Sequence, residues 1–178
     1  MGKMEPVDPA WSLDRRAQIE RWPFRCDSGG AYDKPELNEL RHIWCSLAKR
    51  RSAPSRADFD ARTLKPFLRN ITILERVLFD RASSRYRVRL AGSNIVDVTG
   101  DHTGRFLEEH LPSEFVVRWS AIYDAAIVSA RPLRIVVEFA LPRMNFLSGE
   151  ALIAPLADQA GDISFLIGCV YFKPKLAH

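Results

Sequence analysis

Tyr86-Arg87-Val88-Arg89-Leu90-Ala91-Gly92-Ser93 alternates apolar with charged side chains and then stops at a glycine, and this stretch decides how the rest of the chain is read. Alternation at period two marks a strand with one face in a core and the other in water. It directs Tyr86, Val88 and Leu90 inward. Just upstream, Ile71 to Phe79 is rich in β-branched and aliphatic residues, and the polar Arg81-Ala82-Ser83-Ser84 separates the two runs. The pair reads as an antiparallel hairpin.

Downstream of the hairpin, Asn94 to Thr99 reads as a short helical turn closed by Gly100. The tight connection Asp101-His102-Thr103-Gly104-Arg105 leads to a second short helix, Phe106 to His110, stopped by Leu111-Pro112. Ser113 and Glu114 open a longer helix with Phe115, Val116, Trp119, Ile122, Tyr123, Ala126 and Ile127 on one face, ended by Ala130-Arg131-Pro132. Three further strands are expected at Leu133 to Leu141, Gly149 to Leu156 and Ile163 to Phe172.

Upstream of the hairpin, Leu37, Leu40, Ile43, Trp44 and Leu47 recur at three- and four-residue steps between Pro35 and Arg51. That spacing predicts an amphipathic helix, with Pro35 in its first turn and Lys49-Arg50-Arg51 complementing the negative pole of its dipole. A loop broken by Pro54 and a short turn at about Asp60 to Phe67 precede the hairpin. Residues 1–35 mix prolines, Gly29-Gly30 and charges, and are expected to form a flexible or partly helical arm, with Trp11, Leu13, Ile19, Trp22 and Phe24 available for packing. The fold expected is α+β: a five-stranded antiparallel sheet, with short helices and one longer helix between strands two and three, preceded by the amphipathic helix at 36–51.

The chain has 178 residues, 47% apolar and 27% charged, which suits one globular domain of about 36–178 plus an arm and excludes wholesale disorder. The apolar runs fall short of the roughly 20 residues of a membrane span. No secretory signal opens the chain, so a cytoplasmic location is expected. Three scattered cysteines, Cys26, Cys45 and Cys169, suggest neither a disulfide framework nor a zinc site. The net charge of +4 reflects basic clusters at Lys49 to Arg56 and Arg85 to Arg89. They accompany no helix-turn-helix, so nucleic acid is not an expected partner.

The element order, with four motifs, resembles the PAS domain family. Leu40-Arg41-His42-Ile43-Trp44 and Arg51-Ser52-Ala53-Pro54-Ser55-Arg56-Ala57-Asp58-Phe59-Asp60 resemble the opening of a stand-alone PAS subfamily common in alphaproteobacteria, with Lys-Arg-Arg where that family often has Gly-Arg. Tyr86 to Ser93 resembles its second strand, and Thr99 to Leu107 its following glycine-rich turn. The resemblance covers residues 36–172. It implies a sensory or scaffold role in bacterial signalling, often as a homodimer with a regulatory protein partner.

A PAS domain that senses through a cofactor must hold it. The longer helix carries no histidine, which disfavours haem, and Thr103 to Glu108 has no cysteine where photoactive flavin domains carry one. No cofactor is therefore predicted, and an unidentified small molecule is left open. Tyr86, Ile95, Phe106, Trp119, Tyr123, Phe139 and Phe165 are the candidate walls of its cavity, with Arg89 and Glu138 as polar candidates, either paired on neighbouring strands or meeting a ligand. Leu40, Ile43, Trp44 and Leu47 of the first helix are the candidate interface. No metal site and no catalytic residues are assigned, since G-x-S-x-G, P-loop and H-E-x-x-H motifs are absent. The expected function is non-catalytic: ligand-modulated protein contact. The alternative is a small-molecule-binding enzyme on an α+β fold.

Overall fold

The computed structural model of the protein describes residues 7–80, 83–138 and 147–174. In chain order these form α1 (Pro9–Ile19), β1 (Phe24–Asp27), α2 (Pro35–Ala48), α3 (Ala61–Leu64), β2 (Ile71–Leu78), β3 (Ser84–Ala91), α4 (Ser93–Thr99), α5 (Ser113–Ser129), β4 (Leu133–Glu138), β5 (Leu147–Ala157) and β6 (Ile163–Pro174). Single 3-10 turns at Arg56–Asp58, Leu68–Asn70 and Leu107–Glu109 link some of them. The strands make one antiparallel sheet in the order β1-β4-β5-β6-β2-β3.

The sheet thus has six strands, one more than the sequence predicts. The sixth is β1, from the arm. Phe24 and Cys26 turn inward and Arg25 outward, with Phe24 opposite Val137 and Cys26 opposite Ile135 of β4. Four residues are too few for this alternation to stand out among the neighbouring charges. The partly helical reading of the arm has its counterpart in α1, whose N-cap Asp8 accepts from the backbone N–H of Ala10 at 2.9 Å. Ala10, Leu13 and Ala17 are buried in the core that includes α5, whereas Trp11 and Ile19, also expected to pack, are 54% and 72% exposed. Asp14 of α1 accepts from the backbone N–H of Cys26 at 2.9 Å and from Arg25 Nε at 3.1 Å, which fastens helix to strand.

The hairpin contains an irregularity that alternation does not foresee. Ile73 faces Leu90, but the next residue, Leu74, faces Val88, so Arg89 is an extra residue in β3. Such a bulge reverses the facing of everything beyond it. Tyr86 and Val88 lie in the core beneath α5, as expected, while Leu90 packs on the opposite face beneath α2.

Each face of the sheet carries a core. One, covered by α1, α4 and α5, is built on Leu74, Tyr86, Ile122, Tyr123, Ile135, Ala151 and Leu166. The other, under α2 and α3, is built on Leu37, Leu40, Trp44, Ile71, Leu152 and Ile167. Leu40 and Trp44 are therefore corrected as interface candidates: both are buried within the chain's own core, and the Trp44 indole N–H donates to the carbonyl of Pro155 at 2.8 Å. A sheet face too apolar to meet water claims the helix that crosses it. Ile43 and Leu47 are half-buried at the margin of that contact. Arg51 donates to the carbonyl of Leu47 at 2.6 Å, in keeping with the dipole reading of the basic helix end.

Among the described residues no helix is long and apolar enough to cross a membrane, and no cluster of three His, Cys, Asp or Glu side chains could hold a metal ion.

Candidate functional site

Between the sheet and the α4–α5 layer lies a cavity of about 150 Å³. Thr72, Leu74, Val88, Ala151, Ile153, Gly168 and Val170 form its floor. Ile95 of α4, Leu107 and Leu111 of the connection, and Phe115, Trp119 and Tyr123 of α5 form its roof. Phe115, Trp119 and Tyr123 occur at four-residue steps and so share one face of α5. Trp119 stacks on Tyr123 with ring centroids 5.8 Å apart, and Tyr123 meets Tyr86 edge-on at 5.0 Å. Gly168 keeps the floor open, because a Cβ there would lie 2.7 Å from Cγ2 of Thr72.

One corner of this apolar wall is polar. His102 and His110 both line the cavity, their rings stacked at 3.8 Å and 12°. Gly100, at φ +88°, ends α4 and turns the chain so that His102 folds back on that end. The His102 Nε2 to Thr99 carbonyl distance is 2.7 Å, and a carbonyl only accepts, so Nε2 carries the hydrogen. Nδ1 of each ring is buried, with no close hydrogen-bond partner among the described residues. Burial, the neighbouring His102 and Arg105 hold His110 below the ordinary histidine value despite opposing contributions from Phe106 and Glu109.

The predicted wall residues are divided by the structure. Ile95, Trp119 and Tyr123 line the cavity. Tyr86 is buried behind Tyr123 rather than at the wall. Phe106 is corrected: its ring lies at the sheet edge, 6.0 Å from Phe79 and beneath the guanidinium groups of Arg85 and Arg87. Phe165 is corrected as well, because its position in β6 points it to the α2 side. Phe139 lies outside the described residues. The proposed Arg89–Glu138 pair is also corrected. Strands β5, β6 and β2 lie between theirs, and Arg89 instead lies 3.7 Å from Glu75, as does Arg87. Glu138 is exposed near the second edge, where its backbone N–H donates to the carbonyl of Pro23.

Sequence reasoning assigned the two histidines no part in the site and so missed their stacking. Seven residues lie between them, and only the fold of the glycine-bounded turn brings them together. Cys169 contributes to the wall from β6, yet its side chain belongs to the α2-side core, where burial pushes the thiol up to about 12. His102 therefore meets His110 and not a nucleophile.

The family model described as "PAS domain" matches residues 32–171. The chain belongs to the PAS domain family. Domains of this family are generally sensory and non-catalytic. Among curated proteins, none matches this sequence. Among solved structures, an RNA-binding light-oxygen-voltage receptor is 15% identical, with a TM-score of 0.44 over 83% of this chain and 38% of its own length. A light-oxygen-voltage domain studied with a flavin analogue is 14% identical, TM-score 0.41, covering 64% of this chain and 84% of that one. The light-state light-oxygen-voltage domain of Aureochrome1 is 16% identical, TM-score 0.38, covering 66% and 88%. The present chain thus spans well under half of the first of these.

The expectation of no cofactor, with haem and photoactive flavin disfavoured, is corrected in that a flavin is not excluded. The structures similar to this PAS domain are light-oxygen-voltage proteins, one of them described through its flavin. The physical reason is that the missing thiol at Thr103 to Glu108 bears on forming a photoadduct, not on holding a flavin.

Proposed function

We propose that this PAS domain is a non-catalytic regulatory module of bacterial signalling, acting in the cytoplasm, whose cavity occupancy modulates contact with a protein partner, including a second copy of itself. The cavity beneath α5 carries the reading. Its volume of about 150 Å³ is that of an apolar cavity able to take a benzene-sized molecule, and its walls are aromatic and aliphatic apart from two threonines and the histidine corner. A cavity so placed is a mechanical device. Any occupant changes how α5 rests on the sheet, and a ligand that prefers one arrangement shifts the population towards it.

Binding is favoured over catalysis by the wall itself. The two histidines that reach it stack on one another, and the thiol nearest to it faces the other core. Contact surfaces are available on the outer side of α1, where Trp11 and Ile19 are exposed, and at the α2 margin, where Ile43 and Leu47 are half-buried.

The test combines native mass spectrometry and a visible absorbance spectrum of the purified protein with a melting-temperature screen of small aromatic probes, starting with indole. A bound molecule, or a probe that raises the melting temperature of the wild type but not of Ala151→Leu, supports the reading. Protein that carries nothing, and that no probe stabilises, overturns it.

A further inference from the structure

We infer that the N-terminal unit, α1 with β1, is the element that reports the state of the cavity, and that Phe115 and Trp119 of α5 couple the two. The inference rests on reading the cavity as a ligand site.

Phe115 and Trp119 line the cavity on one side. Together with Pro23, Phe24 and Ile122 they also line a crevice of about 20 Å³. The two rings are therefore a partition between the cavity and the N-terminal unit. A crevice of that size has room for about one water molecule. A roof displaced by an occupant has only that slack before it presses on Phe24.

Phe24 cannot yield alone. It is paired in β1 with Val137, and the carbonyl of the preceding Pro23 accepts from the N–H of Glu138 at 2.8 Å. Its ring is 5.8 Å from that of Trp22, over which Arg16 of α1 lies at 4.7 Å. Pressure on Phe24 is thus shared with α1. This unit is also the part of the sheet least able to resist, since among the described residues β1 has four residues and one neighbouring strand, whereas β5 and β6 pair along eleven positions. Because the outer side of α1 carries Trp11 and Ile19, its displacement changes the apolar surface offered to a partner.

Hydrogen exchange on the full chain tests the coupling without a ligand. Ile95→Phe adds volume to the cavity from α4, remote from Phe24 in sequence. Amides of residues 24–27 and of Glu138 are expected to exchange at least about fivefold faster, while those of Leu152 and Ile167 hold their rates. Adding Trp119→Ala should abolish the difference that Ile95→Phe makes. Unchanged exchange at 24–27 overturns the inference. Should Ile95→Phe loosen the whole sheet, the smaller Ala91→Val at the same wall decides, and uniform acceleration there also overturns it.

The reciprocal experiment uses indole as the probe. Coupling is symmetric in free energy, so Phe24→Ala must change the dissociation constant by at least about fivefold. An unchanged constant overturns the coupling. Failure of indole and the other probes to bind wild type counts against the ligand reading alone, and the exchange result then stands by itself.

Discussion

Tyr86 of β3 donates its hydroxyl hydrogen to the carboxylate of Asp124 on α5, joining the edge hairpin to the helix that roofs the cavity. Burial, reinforced by Asp124, pushes the Tyr86 phenol well above its ordinary value. Tyr86→Phe should lower stability by about 1.5 kcal/mol, as expected for a hydrogen bond to a charged group. The fold favours the neutral phenol, so its contribution is complete below about pH 10 and is lost as the pH rises further. Urea unfolding at several alkaline pH values should show a shallower decline in the variant than in wild type. Equal slopes would show that Tyr86 does not govern that limb.

His110 predicts the opposite limb. Its lowered value means that the unfolded chain binds a proton more readily than the folded one. The neutral ring therefore stabilises the fold fully above about pH 6.5, and that contribution is lost as the pH falls. The melting temperature should drop from about pH 7 to 5, and His110→Phe should flatten the drop. A variant that follows the wild-type curve would assign the acid sensitivity elsewhere.

Glu150 holds the N-terminal region to the sheet. Its carboxylate, almost fully buried, accepts from the backbone N–H groups of Asp33 and Lys34 at 3.0 Å each and from Arg134 Nε at 2.6 Å. Glu150→Ala strands those donors and should cost about 3 kcal/mol. Glu150→Gln, which keeps an acceptor, should cost less. Denaturant titration of both variants checks the order, and a milder Ala variant would contradict it.

Gly168 and Thr72 face each other across β6 and β2 on the cavity floor, in register. Gly168→Ala puts a methyl 2.7 Å from Cγ2 of Thr72 and 3.2 Å from Cδ1 of Ile153, and should cost about 2 kcal/mol through overpacking. Thr72→Ser removes the first contact while keeping the hydroxyl that donates to the Leu90 carbonyl at 3.1 Å. The double variant should regain a large part of the loss, a coupling that a double-mutant cycle measures. Additive losses would mean that the clash is relieved by other means.

The three cysteines should separate by reactivity. Cys45 is exposed, while burial, with nearby carboxylates adding, holds the Cys26 thiol up at about 12, and burial holds Cys169 there too. Titration of the native protein with a thiol reagent near neutral pH should give one fast equivalent, lost in Cys45→Ser, and two more only on unfolding. Two fast equivalents would place a second thiol at the surface.

Much of the fold was legible because its elements announce themselves locally. The three- and four-residue spacing through Leu37, Leu40 and Trp44 marks a helix, the alternation at Tyr86 and Val88 marks a strand, and Ala130-Arg131-Pro132 marks where α5 must end. Their order along the chain was enough to suggest an α+β sheet and the PAS resemblance. Strand β1 escaped because four residues among charges carry too little pattern, and their inward facing exists only against β4.

The site was legible in part and for a definable reason. Periodicity tells which side of a helix is apolar, so Trp119 and Tyr123 were found, but it does not tell which apolar side reaches a cavity and which fills a core. Tertiary structure alone decided that Phe106 lies under Arg85, that Phe165 faces α2, that Leu90 crosses to the other face after the bulge at Arg89, and that His102 meets His110. Local sequence sets the conformations of neighbouring residues, whereas register, sheet order and the meeting of distant side chains depend on how much surface the whole molecule can remove from water at once.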